Sequence, residues 1–145
     1  MVSDDRFLIR MFALADWAAI PPDQKIYMGG GGVSQVHLPQ LPGPLPPLSL
    51  VVQVHVPWTM TSQPYTFSVR LLDGDRNAIG PDPLIGGTAE TGRPPGHRPG
   101  DELTMQFVVG LAGQPVQAPG TIYFHLTVGD EVLGVLPIKV VGRQP

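Results

Sequence analysis

Four consecutive glycines, Gly29-Gly30-Gly31-Gly32, are the first candidate for chemistry in this chain of 145 residues. A run of bare backbone can cradle a phosphate, or it can let a strand bend where no side chain fits. A dinucleotide-binding turn needs a third glycine at a fixed offset and a helix behind it. Here Val33-Ser34-Gln35-Val36 and then a series of prolines follow, and these cannot start that helix. A P-loop needs Gly-Lys-Ser/Thr, and no lysine follows the glycines closely. Residues 29–32 are therefore expected to be a side-chain-free bend or bulge joining two strands, with at least one glycine at positive φ. A ligand seated there would touch backbone, with Gly30 and Gly31 as its candidate contacts.

Nucleophiles and titratable groups give less. Ser34 lacks the closing glycine of a nucleophile elbow. His37, His55, His97 and His125 have no H-x-H or H-E-x-x-H spacing, so no metal site is expected. His55 and His125 fall on the outward register of two strands and would share a sheet face if those strands shared a sheet. Asp16 interrupts an apolar run and is expected to accept hydrogen bonds in a structural role. Asp73 and Asp75 are too few for a calcium loop. No acid is placed beside a second acid or a histidine, so no catalytic residue is assigned.

Recognition is better provided for. Trp17, Trp58, Tyr27 and Tyr65 are candidates for a sugar or peptide platform, with core packing as the competing fate. Arg93-Pro94-Pro95-Gly96-His97-Arg98-Pro99 offers two arginines and a histidine on a stiff backbone. Its residues Arg93, His97 and Arg98, together with Trp58, form the candidate docking group.

The elements that must position these residues read as strands. Leu50, Val52, Val54 and Val56 alternate with Ser49, Val51, Gln53 and His55, the period of a half-buried strand. The same period recurs at Tyr65, Phe67, Val69 and Leu71, at Leu103, Met105, Phe107, Val109 and Leu111, and at Ile122, Phe124, Leu126 and Val128. Residues 6–19 are apolar on both faces, which suits a buried strand better than an amphipathic helix, with an Ala-rich helix as the alternative by composition. An irregular strand is expected near residues 84–90, and Pro137 marks an edge or a bulge in the closing strand. Residues 1–5 are read as a frayed start and residues 91–100 as an exposed loop. Eighteen glycines and eighteen prolines supply the turns between strands. The expected fold is all-β: a single antiparallel β-sandwich of immunoglobulin-like type over residues 1–145, with eight or nine strands and little or no helix.

Bulk properties remove several function classes. A formal charge of −3 and a pI near 5.7 give no reason to expect nucleic acid or an anionic membrane as partner. The absence of cysteine excludes disulfides and thiolate chemistry. Arg10 and Asp16 interrupt the one run that could pass for a signal segment, so a cytoplasmic protein is expected.

Two resemblances stand beside this reading. Ala118-Pro119-Gly120-Thr121-Ile122-Tyr123 resembles the entry to the penultimate strand of fibronectin type III and related immunoglobulin-like domains. That resemblance implies that the Tyr123 hydroxyl ties back to the backbone just upstream. Leu14-Ala15-Asp16-Trp17-Ala18, Lys25-Ile26-Tyr27-Met28-Gly29-Gly30-Gly31, Pro44-Leu45-Pro46-Pro47-Leu48 and Val56-Pro57-Trp58 are similar to a bacterial family of small proteins catalogued only as a domain of unknown function. In that family a tryptophan often follows the glycines, where this chain has Val33. The resemblance implies an architecture and carries no activity.

The function expected from all of this is a non-enzymatic module acting through contact with another protein or with itself, without a cofactor. A small-molecule or carbohydrate-binding domain is the alternative, and an enzyme with a spatially assembled acid and base is the third reading.

Overall fold

The computed structural model describes residues 6–96, 98–101 and 103–143. Eleven strands are found among them: β1 (Leu8–Ala19), β2 (Tyr27–Gly31), β3 (Gln35–Leu38), β4 (Gly43–Pro44), β5 (Leu48–Val56), β6 (Pro64–Leu72), β7 (Ile85–Glu90), β8 (Leu103–Leu111), β9 (Pro115–Val116), β10 (Gly120–Val128) and β11 (Glu131–Gly142). The single helical turn among the described residues is a three-residue 3-10 turn at Trp58–Met60. The all-β expectation holds, with two more strands than the upper expectation of nine because β4 and β9 are a two-residue pair built around prolines.

The strands form one sheet of four in the order β2-β1-β5-β8 and one of five in the order β3-β11-β10-β6-β7, with β4-β9 apart. The five-stranded sheet curls into a half-barrel. Between the sheets lies one core, with Leu14, Leu50, Val52, Val54 and Val109 from the first facing Val69, Leu71, Phe124, Leu126 and Ile138 from the second. The period-two alternation of these strands thus points where the sequence places it.

Three expectations are corrected. Pairing is not wholly antiparallel, because β3 runs parallel to β11, with Val36 opposite Val140. The chain leaves the four-stranded sheet at β2 and joins the other at β3, and this crossing reverses the sense of pairing. Residues 6–19 are buried on both faces only at the centre, at Leu14 and Ala15, while Asp16 and Trp17 beyond them are exposed on both. Conversely β5 is buried on both faces at its centre, where Val51 has 0% exposure although it points away from the core. The cause is the connection between β1 and β2, which folds over the outer face. There the Gln106 amide donates to the Gln24 carbonyl at 2.5 Å, and the Gln53 amide donates to Gln106 Oε1 at 2.9 Å.

Along one side the sheets meet. Gly134 of β11 lies against Ile9 and Phe12 of β1, so closely that a Cβ would collide with the Ile9 side chain. Phe7 stands edge-on to Tyr65 and Phe67, with ring centroids 4.9 and 5.7 Å away, and closes the same end. On the opposite side β7 and β8 are the outermost strands of their sheets and nothing joins them among the described residues. Pro137 stands where β11 runs beyond β3, as a residue without an N–H should.

Candidate functional site

The glycine run is a seat for two side chains. Trp17 pairs with Gly29, and its indole lies where a Cβ on Gly29 would be; the Asp16 carboxylate occupies the matching place at Gly30. Gly30 has φ 62° and Gly32 φ 79°, so two glycines hold the left-handed conformation that the sequence led us to expect of at least one. The Val33 N–H then donates to the Leu14 carbonyl at 2.8 Å, and the Lys139 N–H donates to Ser34, which fixes both ends of the crossing. Gly31 stands opposite Ala15, beside Met28. Trp17 remains 55% exposed above the glycines. Tyr27 lies on the same face of the hairpin, and its hydroxyl donates to Asp23 Oδ2 at 2.5 Å. This bond holds the Asp23 carboxyl below the ordinary carboxylate value, helped by the Lys25 N–H, and raises the Tyr27 phenol above its own. Asp16 is exposed rather than buried, so no desolvation has to be offset there.

The docking group assembles in part. The Arg93 guanidinium lies 4.0 Å from the centroid of the Trp58 ring. Its Nε donates to Thr61 Oγ1 at 2.5 Å and one terminal nitrogen donates to the Trp58 carbonyl at 3.2 Å. Thr61, the one buried polar residue among those described at 2% exposure, donates its own hydroxyl to the same carbonyl at 2.6 Å. Arg93 is thereby fastened down and anchors the start of the loop that carries the chain from β7 to β8. Arg98 belongs to a separate turn closed by Asp101, whose carboxylate accepts the Arg98 N–H at 2.7 Å. His97 lies outside the described residues. Gly30 and Gly31 are at the other end of the molecule: Gly31 is level with Ser49 of β5, whereas Trp58 follows the far end of that strand. The length of β5 separates the two groups by roughly 25 Å.

The described histidines do not converge. His55 is in the four-stranded sheet and His125 in the five-stranded one. His125 stands opposite Arg70, whose guanidinium donates to both oxygens of Asp82 at 2.8 and 3.0 Å. Burial, then the charges of Arg70 and Arg76, push the His125 pKa below the ordinary imidazole value. His37 shares a 2.8 Å hydrogen bond with Gln35 on the surface. No three metal-ligating side chains gather among the described residues. Tyr65 is packed against Phe7 and donates to Met60 Sδ at 2.8 Å, so it serves the core rather than a platform. Tyr123 sits in β10 opposite Leu72 and Pro137, and among the described residues no hydrogen bond of its hydroxyl confirms the backbone tie implied by the corner resemblance.

Sequence reasoning missed one feature. Between β7 and β8 lies an apolar groove of about 200 Å³, lined chiefly by Phe67, Ile85, Gly86, Gly87, Met105 and Phe107, with no titratable side chain in its wall. Its two rims are the outermost strands of the two sheets. The available signal was Leu103–Leu111 itself, nine residues without a charge or a proline, but only topology reveals that such a strand is an edge.

Similarity to known proteins adds a family and little else. No curated protein matches the sequence. Among solved structures, an alkylpurine DNA glycosylase from Pseudomonas fluorescens bound to DNA with an abasic site analog is 10% identical at a TM-score of 0.48, over 93% of this chain and 30% of that one. A β-glucosidase from Listeria innocua in complex with isofagomine is 15% identical at 0.43, over 97% of this chain and 17% of that one. The chain thus spans less than a third of either protein. No helix among the described residues is long and apolar enough to cross a membrane. The motifs at Trp17, in the glycine run and at Trp58 all fall inside residues 10–141, which match a family model, and the chain belongs to that family, the family of unknown function DUF6941.

Proposed function

We propose that this protein is a non-catalytic recognition module of immunoglobulin-like build that accepts an extended polypeptide strand at an open sheet edge. The groove between β7 and β8 carries this reading: it is apolar, about 200 Å³ in volume, and rimmed by two strands with unpaired outer sides among the described residues. An edge strand offers a row of N–H and C=O groups to another chain, and an apolar groove beside it receives alternate side chains. The immunoglobulin-like reading is supported by the order β3-β11-β10-β6-β7, with the first of these parallel to the last strand of the chain.

A photo-reactive amino acid at Thr104 in β8 or Thr88 in β7 tests the proposal, with Asp75 in the β6–β7 connection as control. Polypeptide crosslinks from the first two positions and not from the third are expected. Absence of any such crosslink from both rim positions would remove the reading. The carbohydrate alternative is favoured by one observation, the exposed Trp17 beside Tyr27 on a single hairpin face. A panel of glycans that leaves the Trp17 indole resonance unmoved would dispose of it.

A further inference from the structure

Open strand edges in native proteins are normally blunted by brevity, glycine, proline, charge or a bulge. Four edges of this molecule follow that pattern. β2 is five residues long and three of them are glycine; β3 has four residues. β7 carries Gly86, Gly87 and Glu90, and the part of β11 beyond β3 contains Pro137. β8 has one glycine, Gly110, near its end, and none of the other protections. It runs for nine residues, pairs with β5 without a register shift, and holds no charge and no proline. Its outer side is unpaired among the described residues.

We infer that the strand accepted at this edge is β8 of a second copy of the same chain, the two pairing antiparallel about a two-fold axis at Phe107. This rests on the strand-accepting reading above and names its partner. Two-fold pairing demands a strand compatible with its own reverse. With Phe107 opposite itself, Leu103 meets Leu111 and Met105 meets Val109 on the inner face, while Thr104 meets Gly110 and Gln106 meets Val108 on the outer. Every inner pair is apolar, and no like charges oppose each other anywhere along the strand. Met105 and Phe107 are only partly buried in the single chain, and their uncovered sides face the groove. The incoming strand passes over β7, where Gly86 and Gly87 leave the room it needs. The two four-stranded sheets then become one continuous sheet, and both open edges disappear.

Light scattering of the purified chain at high micromolar concentration is expected to give twice the 15.5 kDa chain mass. Thr104 and Gly110 are exposed, and a Cβ at Gly110 meets nothing within 4 Å, so charges there leave the fold intact. Thr104→Lys with Gly110→Lys places lysine opposite lysine in the paired register, and the double glutamate variant does the same with acids. Each variant alone is expected to be monomeric with wild-type circular dichroism, and an equal mixture of the two is expected to recover the dimer mass. A monomeric wild type, or a dimer that survives in either unmixed variant, would overturn the self-pairing. If the wild type is monomeric while a crosslinker at Thr104 captures a different polypeptide, self-pairing fails and the strand-accepting function stands; if it captures none from either rim, both fail.

Discussion

At Gly30 two independent demands fall on one residue. Its φ of 62° disfavours any side chain, and the Asp16 carboxylate fills the space a Cβ would take. Gly30→Ala is expected to lower unfolding free energy by about 1–2 kcal/mol from the backbone alone, with an added cost from the clash. Adding Asp16→Ala should recover the clash and not the backbone share, which urea denaturation of the single and double variants will separate. The Asp23–Tyr27 bond gives a pH signature with two limbs. The Asp23 carboxyl is depressed in the folded chain, so its contribution is present above the unfolded carboxylate value and fades as pH falls through the folded one. The Tyr27 phenol is raised, so its contribution is present below the unfolded phenol value and fades as pH rises through the folded one. Difference titration at the phenolate absorbance, wild type against Tyr27→Phe, should place the Tyr27 step above the ordinary phenol range, and Asp23→Asn should bring it back. At this scale the sequence was informative about backbone and poor about partners. The positive φ at the glycines was legible because only glycine takes it cheaply. That Asp16 and Trp17 are what the glycines make room for required the β1–β2 register. Arg93 and Trp58 were named together, but the buried Thr61 that joins them gives no local sign.

The elements show why a pattern can be right about a strand and wrong about its surroundings. Alternation in β5 assigns Val52 and Val54 to the core correctly. It also assigns Val51 to solvent, and that fails because a connection twenty-five residues earlier in the chain lies across it. Val51→Ala is therefore expected to cost about 1–3 kcal/mol in chemical denaturation, comparable to Val52→Ala and far more than a solvent-facing strand valine. A loss no greater than that of an exposed position would mean that the connection does not cover the face. Val36 and Leu38 likewise announce a strand but not its direction, since side-chain period is the same in parallel and antiparallel pairs. A strand near residue 84 was legible and β7 occupies residues 85–90, but the irregularity expected from its glycines and prolines is not found: β7 pairs with β6 without a register shift.

For the whole molecule, one core spans both sheets and the β1–β11 contact closes one side. Trp17 and Trp58 report from opposite ends of this core. Single-tryptophan chains, made by Trp58→Phe and Trp17→Phe, should each show the same urea midpoint by fluorescence as by far-ultraviolet circular dichroism of that same chain. An earlier transition seen only from Trp17 would mean that the hairpin unfolds on its own. The crossing at the glycines has a last consequence, for the order in which a ribosome delivers the parts. β3 emerges early, yet the strand it must lie beside, β11, is the last of these eleven to be made. Val36 therefore waits exposed for most of synthesis until Val140 arrives, and the five-stranded sheet cannot be completed on a nascent chain that ends before β11. Nascent chains released just short of that strand should consequently be the ones that molecular chaperones hold, and a few residues more should release them.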